Sequence, residues 1–242
     1  MSCIQLKNKK MNIYLSVIVP AYNEENRLPK TINSIVDFLK KQSYESEVII
    51  VDDGSTDKTV EVANKLISKV PTARLILGKV NRGKGFAVKT GMLSARGERR
   101  LFMDADGSTP ISEVDKLFKT GEDADVVIGS RRVSGADVKE DQSVFRLTLG
   151  WLFRTIIETI LPLGVVDSQN GFKLFSAKSA NELFLQQTIF GWAFDVEILY
   201  MARKRGYKIK EVPIVWVNDK ESKVTLKGMV KMLWEVLKVR VG

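Results

Sequence analysis

The sequence predicts an α/β domain built around a mainly parallel sheet. Three observations carry that expectation. Short apolar, β-branched runs such as Val48-Ile49-Ile50-Val51 alternate with stretches of helical spacing, which is the pattern of βαβ units. These runs are continuous rather than alternating, as in strands buried on both faces. The chain has 242 residues, 44% of them hydrophobic, with no repeat or low-complexity block, enough for one sizeable core.

Leu15 to Pro20 reads as the first strand, Asn23-Glu24-Glu25 as a turn, and Leu28 to Lys41 as a helix. Val48 to Val51 is the second strand. Asp52 to Asp57 breaks it, with Ser55 or Thr56 as the expected cap of a helix reaching about Val70. Arg74 to Leu77, Arg100 to Met103 and Val126 to Ile128 read as further strands. Gly85 to Ala95 and Glu113 to Lys119 read as helices. Each acidic or Gly-rich turn falls at the carboxyl end of a strand, where open α/β sheets bind ligands.

The second half differs. Val144 to Val166 is long and apolar enough to suggest a membrane span. Arg146, Gly150, Arg154 and Glu158 make one polar stripe in it, however, and Pro162 breaks it. It is expected to be an amphipathic helix. In the tail, Lys227, Lys231, Glu235 and Lys238 share one helical face, and Met229, Met232, Leu233, Val236 and Leu237 the other. Two basic amphipathic helices point to a membrane surface. The expected organisation is a basic segment 1–12, a single Rossmann-like domain 13–224 and a basic helix 225–242. Segment 1–12 lacks the apolar stretch of a signal peptide.

Histidine is absent, which excludes His-based acid–base chemistry and His metal ligands; any metal must be held by oxygen. The single cysteine, Cys3, excludes an intramolecular disulfide and points to a reducing compartment. A net charge of +9 favours anionic partners, but no nucleic-acid-binding motif is present. Asp104-Ala105-Asp106 closes the apolar run Leu101-Phe102-Met103. Two carboxylates at the end of a buried strand need a partner. Hard oxygen ligands suit Mg²⁺ or Mn²⁺ bridging to a diphosphate.

Together with Val19-Pro20-Ala21-Tyr22-Asn23-Glu24, Val51-Asp52-Asp53-Gly54-Ser55 and Asn81-Arg82-Gly83-Lys84-Gly85, this motif resembles the family-2 inverting glycosyltransferases of GT-A fold, over roughly Leu15 to Val224. Within that family the chain resembles the dolichyl-phosphate glucosyltransferases and related polyprenyl-phosphate enzymes. The carriers are Asp104 to Thr109, Gly129 to Arg132, Asp167 to Phe175, Trp192 to Glu197, Glu211 to Ile214 and Ser222-Lys223-Val224. Asn170 departs from the smaller residue expected there and is given no role. Eukaryotic relatives carry an amino-terminal anchor that this sequence is expected to do without.

The resemblance implies glucose transfer from UDP-glucose to dolichyl or another polyprenyl phosphate, with inversion. A GDP-mannose-dependent mannosyltransferase and a non-catalytic nucleotide-binding membrane adaptor are the alternatives. Asp106-Gly107-Ser108-Thr109 favours the glucosyl branch, and the intact carboxylates disfavour the adaptor. By family position Pro20, Tyr22, Glu24, Asp52, Asp53, Lys84 and Asp104 form the nucleotide site. Asp104 and Asp106 hold the metal, Asp106 more directly. Arg131 binds phosphate as part of the catalytic set, and Lys173 and Lys223 join it on the acceptor phosphate. Arg132 reads as a surface charge, and Asp195 and Glu197 as supports for these cations or members of buried ion pairs. Hydroxyl-acceptor members often show a Glu-Asp pair where this chain has Asp167-Ser168-Gln169. A lipid monophosphate, with a second pKa of about 6 by analogy with phosphorylated side chains, needs no general base. Nucleotide sugars place the expected reaction on the cytosolic face of a membrane, with the protein cytoplasmic and peripheral.

Overall fold

The computed structural model describes residues 12–68, 70–139, 155–217 and 226–241; in the last segment, side chains are described at 228 and 231–240. The strands are β1 (Leu15–Ala21), β2 (Ser46–Asp52), β3 (Ala73–Leu77), β4 (Arg99–Met103), β5 (Val126–Ser130), β6 (Asp137–Lys139), β7 (Phe172–Ser176), β8 (Ile209–Pro213) and β9 (Val215–Val217). The helices are α1 (Leu28–Leu39), α2 (Thr59–Ile67), α3 (Lys84–Ser94), α4 (Val114–Gly121), α5 (residues 155–160), α6 (Ala177–Gln186), α7 (Phe194–Lys204) and α8 (Leu226–Val241).

Seven strands form one sheet in the order β3-β2-β1-β4-β7-β5-β8. β7 alone is antiparallel to its neighbours β4 and β5. Alternation along each strand divides the core in two. Leu15, Val17 and Val19 of β1 pack with Leu28, Ile32 and Ile35 of α1 and with Val114 and Leu117 of α4. Ile18 faces the opposite layer, with Val88 and Met92 of α3, Leu183 of α6 and Leu199 of α7. Pro29 in the first turn of α1 suits a helix start. Each buried Ile or Leu of α1 contributes about 1.5–3 kcal/mol, an upper estimate because unfolded chains already bury some apolar surface. β6 and β9 form a separate parallel ribbon that lies against the strand-end loops, since Val217 N–H donates to the Ser108 carbonyl at 2.8 Å.

Several expectations change. α2 begins at Thr59, with neither Ser55 nor Thr56 as its cap. Asp57 accepts from the Thr59 N–H at 2.9 Å instead, while Ser55 Oγ accepts from the Asn23 N–H at 2.9 Å. Of the amphipathic helix expected across Val144 to Val166, residues 140–154 lie outside the described residues. The helix ends at residue 160, before Pro162.

α8 spans the expected tail helix but with a different division of faces. Met232 and Val236 are buried in the core, whereas Leu237 is 43% and Trp234 65% exposed. Glu235 turns inward and accepts from the Ala193 N–H at 3.3 Å. The side chains of Lys227 and Met229 lie outside the described residues. Among the described residues no helix is long and apolar enough to cross a membrane.

Candidate active site

The candidate residues gather at the carboxyl ends of β1, β2, β4 and β5. The loop after β4 is braced from two sides. Thr31 of α1 donates its hydroxyl to the Ala105 carbonyl at 2.7 Å. The Asp104 N–H donates to the Gly171 carbonyl at 3.0 Å. Gly171 also gives the Asp104 carboxylate its space, because a Cβ there would lie 2.1 Å from Oδ2. Gly107 takes the left-handed φ of +68° that turns the chain after Asp106. Asp106 accepts from the Ser108 N–H at 2.9 Å. Burial, and then the neighbouring Asp104, push its carboxyl above the usual range.

This donor set fits a divalent cation. Two carboxylates two residues apart share a site, and Ser108 Oγ, two residues beyond Asp106, is buried without a hydrogen-bond partner. Among the described residues no group of three or more acidic or thiol side chains forms a cage. Two carboxylates are enough for Mg²⁺ or Mn²⁺, which complete their shells from water and a diphosphate. Lys84, the first residue of α3, places Nζ 2.6 Å from Asp104 Oδ1 and 5.4 Å from the Trp192 ring. Burial alone would lower the Lys84 pKa, but Asp104, Asp195 and Asp106 outweigh it and hold the ammonium charged.

Asp52 and Asp53 each cap a separate turn. Asp52 accepts from the N–H groups of Gly54 at 3.0 Å and Ser55 at 3.1 Å. Asp53 reaches across to the next strand-end loop and accepts from Arg82 N–H at 3.1 Å and Gly83 N–H at 2.7 Å. Burial, with a smaller addition from Asp52, raises its pKa against those two donors. Asp53 thereby fixes the loop that delivers Lys84. Glu24 receives Nε and Nη2 of Arg27 at 2.7 and 2.6 Å. Tyr22 is partly exposed at the end of β1, and Pro20 pairs in register with Val51.

Arg131 follows β5. Its backbone N–H, Nε and Nη2 all donate to Asp167, at 2.9, 2.8 and 2.7 Å, and its guanidinium lies 5.2 Å from the Trp216 ring. Asp167 is positioned in turn by Glu211, which accepts its N–H at 2.9 Å. Burial pushes the Asp167 carboxyl up, but the Arg131 hydrogen bonds win and hold it below the usual carboxylate range. Arg132 is exposed, as expected.

Lys173 is a correction. It is 1% exposed, with Nζ 2.6 Å from Asp195 Oδ1 and 2.5 Å from the Asn170 carbonyl. It sits on β7 on the same face as Phe175, so strand alternation points it into the core. Burial lowers its pKa against the pull of Asp195. Its ammonium is buried and committed to Asp195 and the Asn170 carbonyl, away from solvent. Lys223 lies outside the described residues. Among the described residues Glu197 pairs with no cation; it accepts the N–H groups of Thr188 and Ile189 at 3.0 and 2.9 Å. Asp167 and Gly171 lie within the stretch Asp167 to Phe175 that carries the resemblance, whereas Thr31 and Trp216 are supports that motif reading missed; β9, which carries Trp216, is too short to signal itself.

The model of glycosyl transferase family 2 matches residues 16–184. A dolichyl-phosphate beta-glucosyltransferase of Trichomonas vaginalis is 39% identical, over 95% of this chain and 74% of its own length. The Homo sapiens enzyme of that name is 38% identical over 87% of this chain and 69% of its own. The Saccharomyces cerevisiae one is 35% identical over 95% and 75%. Among solved structures, glucosyl-3-phosphoglycerate synthase from Mycobacterium tuberculosis, in complex with Mn²⁺, UDP-glucose and phosphoglyceric acid, superposes with a TM-score of 0.71. It is 22% identical, covering 95% of this chain and 79% of that one. The same enzyme with Mg²⁺ and UDP gives 0.71 at 21% identity, covering 94% and 78%. The likeness to these structures shows a shared GT-A-like fold.

Proposed function

The chain belongs to glycosyl transferase family 2 and, within it, to the dolichyl-phosphate beta-glucosyltransferase group; from that premise we propose that it transfers glucose from UDP-glucose to dolichyl or a related polyprenyl phosphate, with inversion. The observation that carries the acceptor is the engagement of Asp167. This carboxylate takes three hydrogen bonds from Arg131 and is held ionised by them. A group so committed is a poor proton acceptor. A hydroxyl nucleophile needs such an acceptor, but a phosphate oxygen, already anionic near neutral pH, does not.

The residues then divide the work. Asp104 and Asp106 would hold Mg²⁺ or Mn²⁺, which would supply the positive charge that offsets the departing diphosphate. Tyr22, Glu24, Asp52 and Asp53 shape the nucleoside end of the donor site, the last two by fixing its loops, and Pro20 is the next-to-last residue of β1 before it. Arg131 keeps Nη1 outside its fork with Asp167 and offers it to a phosphate oxygen. The acceptor oxygen attacks the anomeric carbon from the side opposite UDP. One C–O bond forms as the C–O bond to UDP breaks, and no proton moves. Lys223 remains a candidate for the acceptor phosphate.

The outer face of α8 supports a membrane location. Trp234 and Leu237 are exposed there beside Lys231 and Lys238, a combination suited to an anionic headgroup layer. We place the protein at the cytosolic face of a membrane, as a peripheral protein. The test is a donor panel with a short polyprenyl phosphate, reading product mass and anomeric configuration together. A β-linked glucosyl phosphate lipid is expected. Transfer from GDP-mannose alone, or an α-linked product, rejects the proposal.

A further inference from the structure

Lys84 occupies an unusual position for a residue assigned to the nucleotide. Its ammonium lies against Asp104 Oδ1 at 2.6 Å, on one of the two carboxylates that fit the cation. A Mg²⁺ ion needs its oxygens at about 2.0–2.1 Å. An ammonium that stays on Asp104 while a divalent ion takes the same carboxylate faces like-charge repulsion at that range, so metal binding works against the Lys84 contact. Asp195 also attracts the Lys84 ammonium, but its ion pair, at 2.6 Å, is with Lys173. The Trp192 ring at 5.4 Å gives only a weaker cation–π contact.

We infer that Lys84 is a resident stand-in for the divalent cation, which metal must displace from Asp104 and which the diphosphate of the donor then receives. The inference rests on the donor-site reading above and adds a regulation to it. Metal alone binds against the loss of an ion pair. When a nucleoside diphosphate is present the displaced ammonium gains a new anionic partner, so each ligand tightens the other by the same factor. Lys84 thereby favours loading of metal and nucleotide together over metal alone.

The test needs neither acceptor nor turnover. Mn²⁺ is titrated into the full chain with and without UDP, following free Mn²⁺ by electron paramagnetic resonance. Lys84→Met is expected to bind Mn²⁺ alone at least tenfold more tightly than the wild type. The tightening that UDP produces should shrink at least tenfold. Lys84→Arg, which keeps the charge, should stay close to the wild type. Unchanged or weaker Mn²⁺ binding by Lys84→Met overturns the inference, as does tight binding by Lys84→Arg. If thermal melting shows Lys84→Met to be unfolded, Lys84→Gln is read by the same criteria. The donor panel decides the reaction separately, so an altered substrate leaves the displacement intact, and a failed displacement leaves the reaction intact.

Discussion

Asp167 holds Arg131 through the backbone N–H, Nε and Nη2, at 2.9, 2.8 and 2.7 Å. The proposed consequence for catalysis is a carboxylate that positions rather than deprotonates. Asp167→Asn is expected to slow transfer by loosening Arg131, with no new alkaline limb in the pH–rate profile. Recovery of activity only at high pH in that variant would identify Asp167 as a general base instead. The stability effect has a definite sign. The Asp167 carboxyl is lower in the folded state than its ordinary 3.8, so its contribution is present above that value and is lost as pH falls through the folded one. Removing one partner of a buried pair costs about 3–5 kcal/mol. Asp167→Asn should therefore melt earlier at neutral pH, and that deficit should narrow in acid.

Asp106 has the opposite sign. Its folded carboxyl is raised above 3.8 by burial and by Asp104, so without metal it destabilises the fold as pH rises through that window. Asp106→Asn is expected to abolish nearly all transfer while leaving the metal-free protein at least as stable at neutral pH. Melting curves and transfer assays on the same preparation check this. Activity near wild type, or full wild-type activity in excess chelator, would refute the metal role.

The buried Lys173–Asp195 pair predicts a stability phenotype rather than an acceptor phenotype. Lys173→Met strands Asp195 in the core and should cost about 3–5 kcal/mol. Lys173→Met with Asp195→Leu removes both charges and should recover part of that loss. Denaturant unfolding of the single and double variants gives the coupling. An undiminished midpoint in Lys173→Met, with a raised KM for the lipid phosphate, would restore Lys173 to the acceptor site.

These outcomes mark what the sequence made legible. The parallel core strands announced themselves as β-branched runs, and their acidic ends as a site, because backbone burial and strand-end chemistry are local properties. The motif Phe172-Lys173-Leu174-Phe175 is carried by β7, whose mixed composition hides a strand. Its alternation would have placed Lys173 beside Phe175 in the core. The brace of Thr31 on Ala105 and the space Gly171 leaves for Asp104 span distant parts of the chain, and no local pattern encodes them. In α8 the periodicity was visible, but which face meets the core depends on the partner helix.

That division of faces decides the last prediction. Met232 and Val236 are buried against the core, while Trp234 and Leu237 stand out beside Lys231 and Lys238. If the outer face meets lipid, Trp234→Ser with Leu237→Ser should weaken binding to anionic vesicles at least tenfold while leaving the melting temperature nearly unchanged. Lys227, Lys231 and Lys238 changed together to Glu should also weaken it tenfold or more, since each lysine near an anionic surface contributes about 1 kcal/mol. That effect should fade with salt. Met232→Ala reverses the pattern: it removes core packing and should cost roughly 2–5 kcal/mol of stability, with the surviving folded protein still binding vesicles. UDP affinity should hold in the charge and surface variants, because the donor site lies at the strand ends. Vesicle binding that ignores Trp234 and Leu237 but collapses with Met232 would mean that α8 only completes the core and that lipid is met elsewhere.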